Sequence, residues 1–174
     1  MNSYHAIFMR TTQKKLADLR ARSKAKFNRK GDREIRPAIP IEFSLEEFRT
    51  WVLSKTGGTE DGVGKCEYCS APLAVTGFVP DHARALARGG RNSLDNFVFA
   101  CQDDNDCKGE MSANWYRYLL RCLEQMPEPE AAIIRTRLRK SEKLASSVRN
   151  FRRMFAGKSK PKTDVFNQGE EINA

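Results

Sequence analysis

Two cysteine groupings, set a fixed distance apart, constrain this chain more than anything else in it. Cys66-x-x-Cys69 opens a stretch that closes at Cys101 and Cys107. Thiolates this close in sequence converge on one ion, and two such ends separated by about 30 residues suit a tetrahedral zinc site with Zn–S distances of about 2.3 Å. Between the ends stand Asp81-His82 and Asn96, and around the second end Asn105 and Lys108. A histidine flanked by a carboxylate, inside a segment clamped by metal, implies a second and catalytic centre held in place by the first.

The local patterns give this segment a shape. Gly77-Phe78-Val79-Pro80 and Asn96-Phe97-Val98-Phe99-Ala100 are rich in strand formers, and the turn Arg88-Gly89-Gly90-Arg91 lies between them. They read as a hairpin with a long connection, its first strand delivering His82 and its second ending at Cys101. A helix is expected to begin near Asp103 or Asp104, with acids at its positively polarised N-terminus, and to continue or restart through Trp115 to Gln125. Upstream, Ser44-Leu45-Glu46-Glu47 is a capping-box signature. Leu45, Phe48, Trp51 and Val52 then recur on one helical face, predicting an inward-packed helix from about Leu45 to Ser54. The glycines at 57, 58, 62 and 64 read as a loop entering the first cysteine pair.

The order of residues resembles the HNH endonucleases, or ββα-metal nucleases. Members commonly run Asp-His, a linker, Gly-Gly, Asp-Asn, an apolar strand, then Cys-x-x-Cys-Asn-x-x-Lys-Gly. This chain has Asp81-His82, Gly89-Gly90, Asp95-Asn96, Phe97 to Ala100, Cys101, Asn105 and Lys108-Gly109. Phe48, Trp51 and Cys66-x-x-Cys69 are similar to the entry of the module in phage and intron-associated members. The expected fold class is therefore α+β: a small ββα-metal core with a structural zinc site, flanked by basic helices.

One position departs from the pattern. The family's fourth zinc ligand immediately precedes the last asparagine, where this chain has Asp104. Both Asp104 and Cys107 are candidates; Cys107 is the expectation, because thiolate suits this borderline-soft ion better than carboxylate. The expected zinc set is Cys66, Cys69, Cys101 and Cys107.

The resemblance also implies the chemistry. Imidazole near its reference pKa of about 6.5 can accept a proton at neutral pH, and the family role of His82 is the general base that activates water. Asp81 and Asn105 take the role of ligands to a catalytic divalent cation. Magnesium or manganese fits a carboxylate and an amide oxygen. Asn96 is similar to the asparagine that ties down the loop and orients the histidine. By the same analogy the products carry 5′-phosphate and 3′-hydroxyl ends. Arg84, Arg88, Arg91 and Lys108 are candidate phosphate contacts, with ordinary surface charge as the alternative.

Charge agrees with such a partner. Lysine and arginine total 31 against 22 acids, a net charge of +9, which favours a polyanion such as duplex DNA. RNA or branched DNA fits the charge equally, and a zinc-stabilised nucleic-acid-binding protein that does not cut is the alternative from another class. A protein partner or homodimer is left open. The cysteine count of five is odd, no signal-peptide pattern opens the chain and no long apolar run is present. The expectation is a reducing cytoplasm, bacterial or phage-infected, with no membrane partner.

The chain divides by composition into a basic N-terminal extension at 1–43, the nuclease core at 44–112, a helical region at 113–156 and a disordered tail at 157–174. The extension is expected to be helical to about Asn28, yet with too few apolar anchors (Leu16, Leu19, Phe27) to face a core. An amphipathic helix is expected over about Glu130 to Phe155. Cys122 reads as a small core residue.

Overall fold

The computed structural model describes residues 3–27 and 34–140. In chain order the elements are α1 (Ser3–Ser23), β1 (Lys26–Phe27), β2 (Glu34–Arg36), α2 (Leu45–Lys55), β3 (Val63–Lys65), β4 (Pro72–Ala74), β5 (Val79–His82), β6 (Phe97–Ala100), α3 (Gln102–Lys108) and α4 (Ala113–Glu124). A further helix, α5, occupies residues 128–140. The strands form three antiparallel pairs, β1 with β2, β3 with β4 and β5 with β6. The expected α+β class and small ββα core are both present, as β5, β6 and α3.

The ββα unit is held by aromatic packing. Phe78 and Phe99 stack at 4.5 Å, and Phe43, Phe48 and Trp51 surround them from α2 and the chain before it. The capping box of α2 is formed in both directions, Ser44 Oγ accepting from the Glu47 amide while the Glu47 carboxylate accepts from the Ser44 amide. In β5–β6, Asp81 pairs with Val98 and His82 with Phe97. The connection between them turns at Gly89, whose φ of +78° favours glycine. At Gly90 a Cβ would stand 1.8 Å from the Arg84 carbonyl oxygen, so the loop closes tightly only without a side chain there.

Two expectations are corrected. Helix α1 does not lie loosely on the surface: Phe8, Leu16 and Leu19 are buried in the same core as α2, β5 and β6. Its inner face is completed by Thr12 and Ser23, whose hydroxyls donate to the carbonyls four residues back at 2.9 and 2.7 Å. Small polar residues satisfied in this way can be buried, so counting apolar anchors alone understated the face. Cys122 is exposed, not buried. The buried face of α4 is Ala113, Tyr116 and Leu123, and a residue one position from Leu123 is turned about 100° away. The expected tail at 157–174, and the expected helix beyond residue 140, lie outside the described residues.

Candidate active site and metal centre

The β3–β4 hairpin and the start of α3 bring four side chains together. Cys66, Cys69, Cys101 and Asp104 place their ligand atoms within 4.8 Å of one another. The Cys69 and Cys101 sulphurs are 3.9 Å apart, close to the edge of about 3.8 Å that a tetrahedron with 2.3 Å Zn–S bonds has. Cys66 and Cys101 each lie 3.1 Å from Asp104 Oδ2. The other oxygen, Oδ1, accepts a 2.8 Å hydrogen bond from the Tyr116 hydroxyl, which fixes the carboxylate with Oδ2 toward the sulphurs. Backbone amides of Cys101 and Asp104 donate to the sulphurs of Cys66 and Cys101 at 3.3 and 3.4 Å. Three thiols and a carboxylate with supporting donors are a donor set that fits zinc.

Burial, and then the Asp104 carboxylate, push the Cys69 thiol up to about 11, and burial raises Cys101 as well. Burial alone would also raise Asp104, but hydrogen bonds from the three thiols and Tyr116 outweigh it and hold the carboxyl below its usual range. Cys107 is not part of the cluster. Its side chain is buried with the sulphur 3.7 Å from the Arg135 carbonyl of α5. The expected fourth donor is thus replaced by Asp104: its Oδ2 reaches two of the sulphurs, whereas Cys107, one turn further along α3, packs against α5.

On the other side of α3 a cavity of about 370 Å³ is lined by Asp81, His82, Asn105 and Lys108, together with Asn92, Arg22 and Arg36. His82 packs edge-on against Phe97, with ring centres 4.8 Å apart. Its Nε2 is 2.8 Å from Asn92 Oδ1. The Asn92 Nδ2 donates to the Ile39 carbonyl at 3.0 Å and to the Ser23 hydroxyl at 2.8 Å. A carbonyl only accepts, so the amide nitrogen must face Ile39 and Oδ1 must face the imidazole. The proton then sits on Nε2, and Nδ1 keeps its lone pair. Burial lowers the His82 pKa, opposed by the Asn92 hydrogen bond; both the tautomer and the charge state favour a ring that accepts a proton.

Asp81 is buried, with one carboxylate oxygen 3.0 Å from Lys108 Nζ and the other accepting from the Tyr68 hydroxyl at 2.7 Å. Lys108 itself is 1% exposed. Lys108, expected on the surface as a phosphate contact, instead balances the charge of Asp81 inside the protein. Burial, with the Asp81 charge behind it, raises the Tyr68 pKa, so its proton stays in place as a donor. Asn105, at the start of α3, lines the same cavity.

Asn96 braces the loop: its Oδ1 accepts from the Arg84 amide at 2.9 Å, and its Nδ2 donates to the carbonyls of Arg84 and Arg91 at 3.1 and 2.8 Å. Of the three loop arginines, Arg91 is paired with Glu42, its Nε 2.9 Å from Oε1. Arg84 and Arg88 line a neighbouring cavity with Asn96 and Arg117. The sequence reading missed Asn92, Arg22 and Arg36, because their place at the site depends on α1 and the chain after it folding over the hairpin; no local motif marks them.

Residues 66–110 match the family model of the HNH endonucleases. No curated protein and no solved structure matches the chain.

Proposed function

We propose that this chain, whose residues 66–110 form an HNH endonuclease domain, is a metal-dependent nuclease that hydrolyses DNA phosphodiester bonds. The observation that carries the reading is the single cavity shared by His82, Asp81 and Asn105, with the His82 ring held through Nε2. Nδ1 of His82 accepts a proton from the attacking water as its oxygen bonds to phosphorus, the bond from phosphorus to the 3′ oxygen breaks, and that oxygen takes a proton from solvent, leaving 5′-phosphate and 3′-hydroxyl ends. Asp81 and Asn105 are the residues to hold a magnesium or manganese ion, which when bound supplies charge neutralisation at the phosphate and the leaving oxygen. Arg22 and Arg36 enter the cavity from the N-terminal segment and serve as phosphate contacts beside the scissile bond. Cys66, Cys69, Cys101 and Asp104 hold a structural zinc that fixes the start of α3, and with it Asn105 and Lys108.

The test is relaxation of supercoiled plasmid by pure protein with magnesium or manganese. Cutting that His82→Ala abolishes while folding is retained supports the assignment. Full activity in His82→Ala, or no product with either metal, rejects it.

A further inference from the structure

Helix α4 divides its aromatic residues between two faces. Tyr116 points inward, at 1% exposure and edge-on to Tyr68. Trp115 and Tyr118 point outward, 67% and 53% exposed. Spaced three apart, they are neighbours on the helix surface, with ring centres 5.7 Å apart and planes at 87°. Together with Asn114 they line a shallow cavity of about 300 Å³. Arg121 lies 5.9 Å from the Tyr118 ring centre, on the next turn.

This patch is tied to the reacting end of the molecule. Asn114 also lines the cavity that holds Arg84, Arg88, Asn96 and Arg117. The first amide of α4, that of Ala113, donates to the Ala83 carbonyl at 2.8 Å, one residue beyond His82. With a rise of 1.5 Å per residue, Tyr118 is only about 8 Å along the axis from that anchor. The charge around it is cationic. Glu67, the carboxylate near Arg117, is already bound to Lys55 at 3.0 Å.

We propose that Trp115 and Tyr118, flanked by Arg117 and Arg121, form a stacking platform for an unpaired nucleotide next to the scissile phosphate. The proposal rests on the nuclease reading and narrows its substrate to nucleic acid with a single-stranded segment beside the cut. Exposed rings beside guanidinium groups match the face of a free base and the charge of its phosphate, whereas the bases of an intact duplex have their faces covered by stacking. A second copy of the chain is the competing occupant. Two rings of 150–250 Å² each at these exposures offer no more than about 300 Å², well under the roughly 800 Å² per partner of a stable protein interface.

The experiment uses the full chain without added magnesium or manganese and follows tryptophan emission, with affinity read in parallel from the anisotropy of labelled probes, on titration with oligothymidylate, a forked duplex and a blunt duplex. We expect oligothymidylate and the fork to quench emission. Trp115→Ala should remove the quenching and weaken binding to both by about tenfold or more, as loss of one base stack implies. Trp115→Phe should restore most of the affinity, and the blunt duplex should be bound equally by all three proteins. Unchanged affinity for the single-stranded probe in both Trp115→Ala and Tyr118→Ala overturns the proposal. So does a change from dimer to monomer by light scattering in those variants. If Trp115-dependent binding persists but the wild-type protein cuts nothing, the nuclease reading fails and the platform stands. If the wild type cuts and the variants bind normally, the reverse holds.

Discussion

Asn92 Oδ1 lies 2.8 Å from Nε2 of His82, and the opposite end of the same amide is fastened to Ile39 and Ser23. The base of the proposed reaction is therefore oriented from the N-terminal segment, through a residue that belongs to no motif. Asn92→Ala removes the acceptor for the Nε2 proton, so the ring is free to rotate or exchange tautomers. We expect a fall in single-turnover cleavage of about a hundredfold, the scale on which small misplacements of reacting groups act, with substrate affinity unchanged. Ser23→Ala keeps the Ile39 bond and should cost much less.

The buried pair of Lys108 and Asp81 gives a different kind of test. With both side chains almost fully buried and their charged atoms 3.0 Å apart, truncating the lysine strands a carboxylate that, among the described residues, only the Tyr68 hydroxyl then serves. Lys108→Ala should lose about 3–5 kcal/mol, a drop in Tm on the order of 10 °C for a protein of this size. Added manganese should recover part of that loss, because a cation at Asp81 supplies the charge that the ammonium had given. A variant as stable as the wild type would show that the pair is not formed in solution.

What was readable in the sequence follows from where the determining contacts lie. The strands that flank the turn at Gly89-Gly90, the capped helix α2 and the Cys66-x-x-Cys69 pair are set by residues near one another in the chain, and the cysteine at 101 shows through the chemistry that two separated thiolate groups share on one ion. The place of α1 was not readable in this way. Thr12 and Ser23 complete its buried face through hydrogen bonds that hydropathy does not record. Lys108 read as surface charge for the same reason, since its partner Asp81 is set opposite it only when α3 packs on β5. Asn92, Arg22 and Arg36 join the cavity through the same long-range packing.

The arginines should separate by salt dependence. Arg22 and Arg36 line the cavity, whereas Arg91 is neutralised by Glu42. Replacing Arg22 or Arg36 by alanine should weaken binding of duplex DNA and reduce the magnitude of the slope of log K against log salt by about one each. Arg91→Ala should leave that slope nearly unchanged. Filter binding across a salt series reads all three, and equal slopes for Arg36→Ala and Arg91→Ala would remove Arg36 from the phosphate path.

The fourth donor of the metal cluster is decided by comparing Asp104 with Cys107. Asp104 Oδ2 sits 3.1 Å from two of the sulphurs, while the Cys107 sulphur faces the Arg135 carbonyl. Cys107→Ser should therefore retain one zinc per chain by elemental analysis, whatever it costs in packing against α5. Asp104→Ala should release zinc to a chelator at far lower concentration, and the chain should unfold with it, since ligation and folding of a small metal-clamped unit are coupled. Asp104→Cys completes four thiolates and should hold zinc more tightly than the wild type. Tyr116→Phe leaves the donor set intact but frees Asp104 Oδ1 from its 2.8 Å bond, and loss of such a supporting contact should weaken zinc retention by about 10- to 100-fold. Zinc lost from Cys107→Ser and kept by Asp104→Ala would reverse the assignment.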